Sequence, residues 1–426
     1  MNQSVDDRAA GADTTPGLEL VDHVTGDDFA WITPRGSFVA SGSAAEYPLD
    51  EVHDRLADMT VEDEVGAPGT GAVACGALPF DPSRHDSVML RVPTSVTGVT
   101  ASGTWWRTTV AGGNDDLHVS TAYSAAPDAL RDRAEVPQPG TARSGRTATA
   151  TSLPDRDGWA RMVAAALAQI RRGELAKVVL AREVAVELGG AAHLGAVLGH
   201  LASTTHGAFV FSDRSFVGAS PELLIRRSGP HVESQPMAGS VPVSADDATA
   251  ATSLAALTRS GKDRDEHRVV VEAVADVLAD HSLRVDVPDA PELVRLPSVA
   301  HLATRITAEL PATTPGEAVP SALDLALLLH PTPAVGGTPR DRAVALIDVL
   351  EPFDRGRYAG PVGWVRADGD GEWAVALRCG LLDGALARLF AGAGIVSGSD
   401  PDREWDETEA KLAPMLSALG VPRPVS

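Results

Sequence analysis

Segments with the composition of β-strands occur in close pairs along this chain, and helical segments stand singly between the pairs. Residues 208–213 and 215–227 are one such pair, and residues 360–380 hold another around the run Asp-Gly-Asp-Gly, which is typical of a tight turn. Short turns join antiparallel neighbours, whereas parallel strands need a crossover of about a dozen residues or more. The pattern therefore favours an α+β fold with large antiparallel sheets covered by helices over a doubly wound α/β fold.

The chain of 426 residues divides into four parts. Residues 1–16 are polar and acidic, which predicts a disordered tail, and residues 17–123 are predicted to hold mainly strands and turns. Residues 124–155 are rich in Ala, Pro, Gly, Arg, Ser and Thr and are predicted to be a surface linker, after which residues 156–422 form the second half. In that half, apolar residues at helical spacing predict helices over residues 156–172, 262–280, 340–350 and 402–419.

The charge balance excludes some partners. The chain carries 36 basic and 58 acidic side chains, for a formal net charge of -22. Such a surface repels nucleic acid and anionic membranes, so neither is expected as a partner. The polar N-terminus has no apolar signal-peptide region, and no run of about 18 apolar residues predicts a membrane span. Cys75 and Cys379 stand far apart and are predicted to be reduced core thiols of a cytoplasmic protein.

Lys177 opens a segment otherwise made mostly of apolar residues, KVVLAREVAVEL. A lysine that enters a dry site loses solvation, so its pKa falls and it can act as a general base near neutral pH. Glu222 stands in the apolar stretch FVGASPELLIRR. A carboxyl group in such surroundings tends to have a raised pKa and can deliver a proton. The alternatives are a lysine at a strand end that reaches solvent and a solvated glutamate after a Ser-Pro turn.

Carboxylates on two predicted helices form a third candidate group. Glu266 lies one turn before Val270 and shares its inward face. On the last helix, Glu404, Glu407 and Lys411 are spaced i, i+3 and i+7, which aligns them on one face. Carboxylates from two helices could bind a hard cation such as magnesium through oxygen. The alternative for Glu407 and Lys411 is an exposed ion pair of little energetic weight.

A glycine pair, Gly392 and Gly394 in LFAGAGIVSG, could hold an anion on backbone amides or could serve tight packing. The dinucleotide-binding fingerprint does not fit, because Gly398 falls one residue too late. The stretch SGKDRD is no phosphate loop, since no glycine stands at the required distance before it.

The joint order of these features resembles the chorismate-utilising enzymes, which include isochorismate, salicylate and anthranilate synthases and aminodeoxychorismate synthase component I. The resemblance covers residues 155–420 strongly and the N-terminal half more weakly, although GALPFD is similar to a segment of isochorismate synthases. The matching stretches, in order, are IRRGELAKVVLAREV, FVGASPELLIRR, SQPMAGSVPV, KDRDEHRVVVEAV, VAHLATRI, LHPTPAVGGTPRDRA, DRGRYAGPVGWV, WAVALRC and LFAGAGIVSGSDPDREWDETEAK. The resemblance implies an anthranilate synthase component I-like fold, a single large domain of two packed antiparallel sheets flanked by helices.

The resemblance also implies chorismate as substrate, one magnesium ion and a set of roles. Lys177 falls at the general base, which would deprotonate a water for attack at C2 of the ring, and Glu222 falls at the general acid, which would protonate the departing C4 hydroxyl. Glu266 and Glu407 fall at the magnesium ligands, with Glu404 supporting the metal through water. The positions that the family uses to bind substrate are Gly239, Ser240, His301, Tyr358, Arg378, Gly392 and Lys411, with Ala238 in the same loop as Gly239.

These roles would reconcile an acidic surface with a dicarboxylate substrate, because Lys177, Arg378, Lys411 and the metal would make the pocket locally positive. They also require the base to be an uncharged amine and the acid to be a protonated carboxyl at one pH. Both pKa values must therefore be moved toward neutrality.

Three residues bear on the branch of the family. Anthranilate synthases commonly carry Gln where Lys177 stands, and aminodeoxychorismate synthases use a lysine nucleophile where Ala238 stands, so the nucleophile here is predicted to be water. Salicylate synthases tend to have Thr where Ser240 stands. The prediction is therefore an isochorismate synthase, an isomerase; the alternatives are a salicylate synthase, which also removes pyruvate, and a non-catalytic chorismate-binding homologue. A cytoplasmic monomer without a glutaminase subunit is expected, and its product could feed siderophore biosynthesis, menaquinone biosynthesis or another pathway.

Overall fold

The structure is a computed structural model that describes residues 15–85, 87–113, 116–126, 149–243, 247–296, 299–312 and 319–422. Most of the predicted N-terminal tail and the middle of the predicted linker lie outside these residues. Within them, eight α-helices stand at Val52–Ala57 (α1), Arg156–Arg171 (α2), Leu194–Thr204 (α3), Asp247–Arg259 (α4), Gly261–Ala279 (α5), Ala322–Leu329 (α6), Arg340–Leu350 (α7) and Pro401–Ala418 (α8). Two short 3-10 helices span Leu18–His23 and Pro82–Arg84.

The described strands come from both halves of the chain. In the first half they are Phe29–Thr33 (β1), Gly36–Ser41 (β2), Ala45–Pro48 (β3), Thr60–Asp63 (β4), Val73–Ala77 (β5), Met89–Val92 (β6), Ser95–Thr100 (β7), Trp105–Gly113 (β8) and Asp116–Tyr123 (β9). In the second half they begin with Thr149–Leu153 (β10), Lys177–Glu187 (β11), Phe209–Asp213 (β12), Phe216–Ser220 (β13), Leu223–Ser228 (β14), His231–Gln235 (β15), Met237–Pro242 (β16), Arg284–Asp286 (β17) and Glu292–Arg295 (β18). The last strands are Val299–Ala303 (β19), Ile306–Glu309 (β20), Gly337–Thr338 (β21), Pro361–Arg366 (β22), Gly371–Val375 (β23), Cys379–Asp383 (β24) and Leu386–Ile395 (β25).

Two large sheets dominate the fold. A 13-stranded sheet runs in the order β10-β11-β25-β24-β13-β12-β1-β2-β7-β8-β9-β4, with β21 paired to β11 beside this path. A nine-stranded sheet runs β17-β20-β15-β14-β23-β22-β5-β6-β3, and a small third sheet holds β16-β19-β18. The described pairings are antiparallel except that of β4 with β9. The α+β fold class with two large antiparallel sheets is thus confirmed, and the third sheet is an addition to it.

Both large sheets draw strands from both halves of the chain, and their facing sides share one apolar core. Trp31, Trp106 and Trp373 are almost fully buried in this core. Replacing such a tryptophan with alanine typically costs about 3–5 kcal/mol. The indole Nε1 of Trp31 donates to Oε2 of Glu372 at 2.7 Å, which joins β1 of the larger sheet to β23 of the smaller one.

The four predicted helices are confirmed as α2, α5, α7 and α8. Helix α5 begins after Ser260, whose hydroxyl accepts from the amide of Asp263, and α8 begins after Asp400, whose carboxylate accepts from the amide of Arg403. These caps fix where each helix enters the fold. Helices α1, α3, α4 and α6 were not predicted. Helix α1 has only six residues and α6 is apolar on most of its faces, so neither has a clear amphipathic periodicity.

The hairpin predicted over residues 208–227 is only partly right. Strands β12 and β13 pair as expected, but the chain leaves this sheet at Pro221 and continues as β14 in the nine-stranded sheet. A proline donates no ladder hydrogen bond, which makes it a suitable exit point. The same crossing places Glu222 between the two sheets. No α-helix among the described residues is long and apolar enough to cross a membrane.

Candidate active site

One pocket, with an empty volume of about 630 Å³, lies where β11, β25, β16, β19, α5 and α8 converge. Eleven of the twelve residues predicted for the site line it: Lys177, Glu222, Gly239, Ser240, Glu266, His301, Tyr358, Arg378, Gly392, Glu407 and Lys411. Their separation in sequence reaches more than half of the chain, so the tertiary fold brings them together. Glu404 is buried but is not among the lining residues.

Lys177 stands at the start of β11 and is almost completely buried, with 4% of its side chain exposed. Its Nζ lies 2.8 Å from Oε1 of Glu266, which reaches the pocket from α5. The alternative of a lysine that ends in solvent is therefore excluded. The pair holds a basic and an acidic group, from two different elements, at one wall of the pocket.

Two glycines of β25 leave room for side chains of the pocket, and one of them, Gly394, allows this close approach. A Cβ atom placed on Gly394 would stand 2.9 Å from Oε1 of Glu266 and 3.0 Å from Cε of Lys177. A Cβ atom on Gly392 would stand 3.0 Å from the hydroxyl of Tyr358 and 2.9 Å from the carbonyl oxygen of Leu180. In both positions a side chain would fill space that the pocket needs, so tight packing and function coincide here.

Glu222 is fully buried in the pocket wall after the Ser220–Pro221 corner. Burial raises the pKa of its carboxyl group from about 4.5 to about 7, although the amide of Met237 and the charges of Lys177, Arg378 and Lys411 oppose the rise. A carboxyl group with such a pKa remains protonated in a large fraction of molecules near neutral pH. It can therefore donate a proton to a bound molecule.

Glu407 and Lys411 form the predicted i, i+4 pair on α8, but the pair faces the pocket instead of solvent. The distance from Nζ of Lys411 to Oε1 of Glu407 is 2.6 Å, and Nζ also donates to the carbonyl oxygen of Gly392 at 2.9 Å. The hydroxyl of Ser240 donates to the same Oε1 at 2.7 Å. Burial would raise the pKa of Glu407, but Lys411, Ser240 and Arg378 outweigh it and hold this pKa below its usual range. Glu407 is thus kept ionised.

Arg378 and His301 lie side by side in the pocket wall, and Arg378 makes this part of the wall positively charged. Arg378 has a left-handed backbone with φ of 49°, and it donates to Nε2 of His301 at 3.0 Å. Burial lowers the pKa of His301 far below its usual value, and the charges of Arg378 and Lys411 lower it further. His301 is therefore neutral, and Arg378 carries the positive charge. His301 faces Ser240 across the β16–β19 pairing, and the bulge at Gly239, with φ of 70°, lies beside them.

The carboxylates suit a hard cation. Glu266 and Glu407 face the pocket from α5 and α8, and Glu407 is held ionised. Magnesium keeps several waters and takes only one or two carboxylates together with substrate oxygens, so two such groups with open space beside them fit it. Within the described residues, no three acidic, histidine or cysteine side chains gather as a complete protein-only metal site.

The charges of the pocket favour an anionic ligand. Lys177, Arg378 and Lys411 bring three cations, which exceed the two carboxylates of Glu266 and Glu407. The acidic surface of the chain therefore surrounds a pocket of opposite local charge.

The sequence did not single out the apolar part of the wall. It consists of Val179, Pro221, Met237, Ala334, Val335, Ala359 and Leu377. Small apolar residues carry no chemical signature, so only their position in the fold identifies them. The two cysteines lie elsewhere; both are free and buried.

A family model described as chorismate binding enzyme matches residues 37–420. Isochorismate synthase MenF of Bacillus subtilis is 40% identical over 270 residues, which are 62% of this chain and 56% of that protein. The putative isochorismate synthase MenF of Mycobacterium tuberculosis is 38% identical over 92% of this chain and 96% of its own length. Isochorismate synthase EntC of Escherichia coli is 32% identical over 92% of this chain and 95% of its own length.

Three solved structures superpose on most of this chain. A crystal structure described as a putative 2,3-dihydroxybenzoate-specific isochorismate synthase, DhbC from Bacillus anthracis, superposes with a TM-score of 0.75 at 31% identity, over 95% of this chain and 99% of that chain. The menaquinone-specific isochorismate synthase MenF from Escherichia coli gives 0.73 at 27% identity, over 96% and 92%. Anthranilate synthase component I from Streptococcus pneumoniae, at 22% identity and a TM-score of 0.67, covers 89% and 92% and shares the fold.

Proposed function

The chain belongs to the family of chorismate-binding enzymes, and from that premise we propose that it is an isochorismate synthase, an isomerase that adds water at C2 of chorismate and expels the C4 hydroxyl. The observation that carries the proposal is that a buried lysine and a buried carboxylic acid line one pocket, Lys177 beside Glu266 and Glu222 with a pKa near 7. The names of full-length relatives support the same activity.

Two proton transfers make up the reaction. Lys177 takes a proton from a water as the water oxygen bonds to C2, and Glu222 gives its proton to the C4 oxygen as the carbon–oxygen bond breaks. The departing hydroxyl leaves as water, so the atoms of substrate and product are the same. The enzyme is ready for another turnover once a proton has returned from Lys177 to Glu222. A base and an acid in one site are each worth about 10²–10⁴ in rate.

Substrate binding follows from the cations of the pocket. Arg378 and Lys411 would hold the carboxylates of chorismate, with the phenol of Tyr358 and the backbone at Gly392 and Gly239 as further hydrogen-bonding groups. Ser240 and His301, which are paired across β16 and β19, would lie beside the ring. The apolar side chains of Val179, Val335 and Leu377 would exclude water from the rest of the ring, which limits attack to the water that Lys177 activates.

Magnesium would be held by Glu266 and Glu407, with Glu404 supporting it through water. When bound, the ion supplies charge that neutralises and orients a substrate carboxylate. In the structure Lys177 pairs with Glu266 and Lys411 pairs with Glu407, so each of these carboxylates already faces a cation.

Residues 17–123 and 156–422 would act as one catalytic domain, a proposal supported by the strands that both contribute to each large sheet. A cytoplasmic enzyme agrees with the two free, buried thiols. The product could enter menaquinone or siderophore synthesis; menaquinone and 2,3-dihydroxybenzoate occur in the names of two solved neighbours.

Product analysis tests the proposal. The purified protein is incubated with chorismate and magnesium chloride, with a parallel sample in excess chelator, and the products are separated by chromatography. Isochorismate that forms only without chelator is the expected result. Salicylate together with pyruvate would identify a salicylate synthase instead, and binding of chorismate without turnover would identify a non-catalytic homologue.

A further inference from the structure

Strand β11, which begins with Lys177, has an interrupted edge. On one side it pairs with β25 along ten residues, from Val178 to Glu187. On the other side β21 covers only Lys177 and Val178, and β10 begins only at Glu183. Between these two partners, residues 179–182 pair with no other described strand on this side, although the amide of Val179 donates to the carbonyl oxygen of Gly336 at 2.8 Å.

A buried ion pair fills this gap. Nη2 of Arg355 donates to the carbonyl oxygen of Val179 at 2.7 Å, and Oε1 of Glu351 accepts from the amide of Ala181 at 2.8 Å. Alternate residues of a strand direct their amides and carbonyls to the same side, so these are the groups that a missing strand would have bound. The pair itself is joined by two hydrogen bonds, Nε to Oε2 at 2.8 Å and Nη2 to Oε1 at 2.6 Å. It is almost fully buried, with 3% and 2% of the two side chains exposed.

The same guanidinium group reaches two more parts of the pocket wall. Its Nη1 donates to the carbonyl oxygen of Val335 at 3.0 Å, and its Cζ lies 5.8 Å from the centre of the ring of Tyr358. Val179, Val335 and Tyr358 all line the pocket, and Lys177 precedes Val179 by two residues on the same strand. One side chain thus connects three elements of the site although it touches none of the predicted reacting groups.

We propose that Glu351 and Arg355 are positioning residues that replace the missing strand beside β11 and so fix Lys177, Val335 and Tyr358 relative to one another. The inference rests on the proposed function for its kinetic consequence, but the geometry of β11 is independent of it. A displacement of about 1 Å at a reacting group can lower a rate by about 10²-fold, so a small shift of β11 has a large effect.

The test compares two conservative substitutions. Arg355→Lys keeps the charge but cannot bridge Val179, Val335 and Glu351 together, because an ammonium lacks the planar fork of a guanidinium. Arg226→Lys is the matched control, since Arg226 is also a largely buried arginine, paired with Glu372 at 2.5 Å, but does not line the pocket. For each variant, kcat and KM are measured per folded molecule, and hydrogen exchange is followed in peptides that cover residues 177–184.

We expect Arg355→Lys to lower kcat/KM for chorismate at least about tenfold, mainly through kcat, and to speed exchange in this strand, with Arg226→Lys within about twofold of the unsubstituted protein in both. Equal kinetics and exchange in Arg355→Lys and the unsubstituted protein would overturn the inference, as would an equal loss in Arg226→Lys. If Arg355→Lys does not fold, the double variant Glu351→Gln/Arg355→Gln removes both buried charges, which is tolerated better than removing one; the same losses are expected. If the unsubstituted protein lacks turnover, the proposed function fails, while hydrogen exchange still decides the role of the pair.

Discussion

Nζ of Lys177 lies 2.8 Å from Oε1 of Glu266, so the residue proposed as general base is paired with a residue proposed as a metal ligand. The two groups come from β11 and α5 and meet over Gly394, where β25 has no side chain. A cation bound to Glu266 must compete with the ammonium of Lys177. The proposed metal site and the proposed base would therefore be linked through one carboxylate.

Replacing Lys177 with Gln should remove both the proposed general base and the cation that competes with magnesium for Glu266, with opposite effects on turnover and on magnesium affinity. Turnover should fall by about 10²–10⁴, the usual contribution of a general base. The dissociation constant for magnesium in the absence of substrate should become severalfold lower, because no ammonium competes for Glu266. Isothermal titration calorimetry with magnesium chloride measures this dissociation constant. The control is Arg268→Gln, which removes an exposed cation from α5, the helix that carries Glu266. Weaker magnesium binding in Lys177→Gln would contradict the competition.

The activity should depend on the protonation of Glu222. Its pKa is raised to about 7 by burial, and only the protonated form can donate to the C4 oxygen. The value of kcat/KM should therefore fall as pH rises through about 7, and Glu222→Gln should abolish turnover while it keeps the shape of the site. Rates at saturating magnesium from pH 6 to 9 provide the measurement. An unchanged rate across this range would exclude Glu222 as the acid.

The protonation of Glu222 should also affect stability, again in favour of low pH. A group whose folded pKa is above its unfolded value favours the folded state at low pH, and this advantage is lost as pH rises from about 4.5 to about 7. Glu222→Gln should consequently raise the free energy of unfolding at pH 8 by about 2–3 kcal/mol more than at pH 5. Urea titrations at pH 5 and pH 8 measure the free energy of unfolding of both proteins. An equal effect of the substitution at both pH values would show that the pKa of Glu222 is not raised in the folded state.

Gly394→Ala should lower activity more than it lowers the free energy of unfolding. The added Cβ would meet Oε1 of Glu266 at 2.9 Å and Cε of Lys177 at 3.0 Å, so the Lys177–Glu266 pair must shift. We expect kcat/KM to fall at least about tenfold, since small misplacements of reacting groups are costly. Gly190→Ala is the matched control, because nothing lies within 4 Å of its added Cβ. Equal activity of the two variants would show that the pair tolerates displacement.

Removal of metal should abolish turnover but leave the fold nearly as stable. Without the ion, Lys177 neutralises Glu266 and Lys411 neutralises Glu407, so no buried carboxylate loses its partner. The melting temperature in chelator should stay within about 2 °C of its value at a magnesium concentration near the dissociation constant. Calorimetry measures both temperatures, and a much larger difference would mean that removing the ion disturbs the fold beyond the loss of one bound ligand.

Sequence alone placed many of the residues that line this pocket, because those proposed to carry the chemistry are polar groups in unusual surroundings. Lys177 and Glu222 stand out in apolar stretches, and Glu266 shares a helix face with Val270. All three line the pocket. The apolar residues Val179, Val335 and Leu377 gave no such signal, since any core position would accept them.

Three pairs of acid and base, each four residues apart, show what sequence could not decide. Arg268 and Glu272 form an exposed pair, Glu407 and Lys411 face the pocket, and Glu351 and Arg355 are almost fully buried beside β11. Spacing indicated that the first two pairs can meet, because neighbours at i and i+4 lie on one side of a helix. Glu351 and Arg355 meet in the loop that follows α7, where helical spacing does not apply. Whether a pair is surrounded by solvent, by a pocket or by a strand edge depends on long-range packing, and so does the contribution of the pair to stability. Periodicity determines which face of a helix or strand is apolar, but only the tertiary structure determines which surface packs against that face.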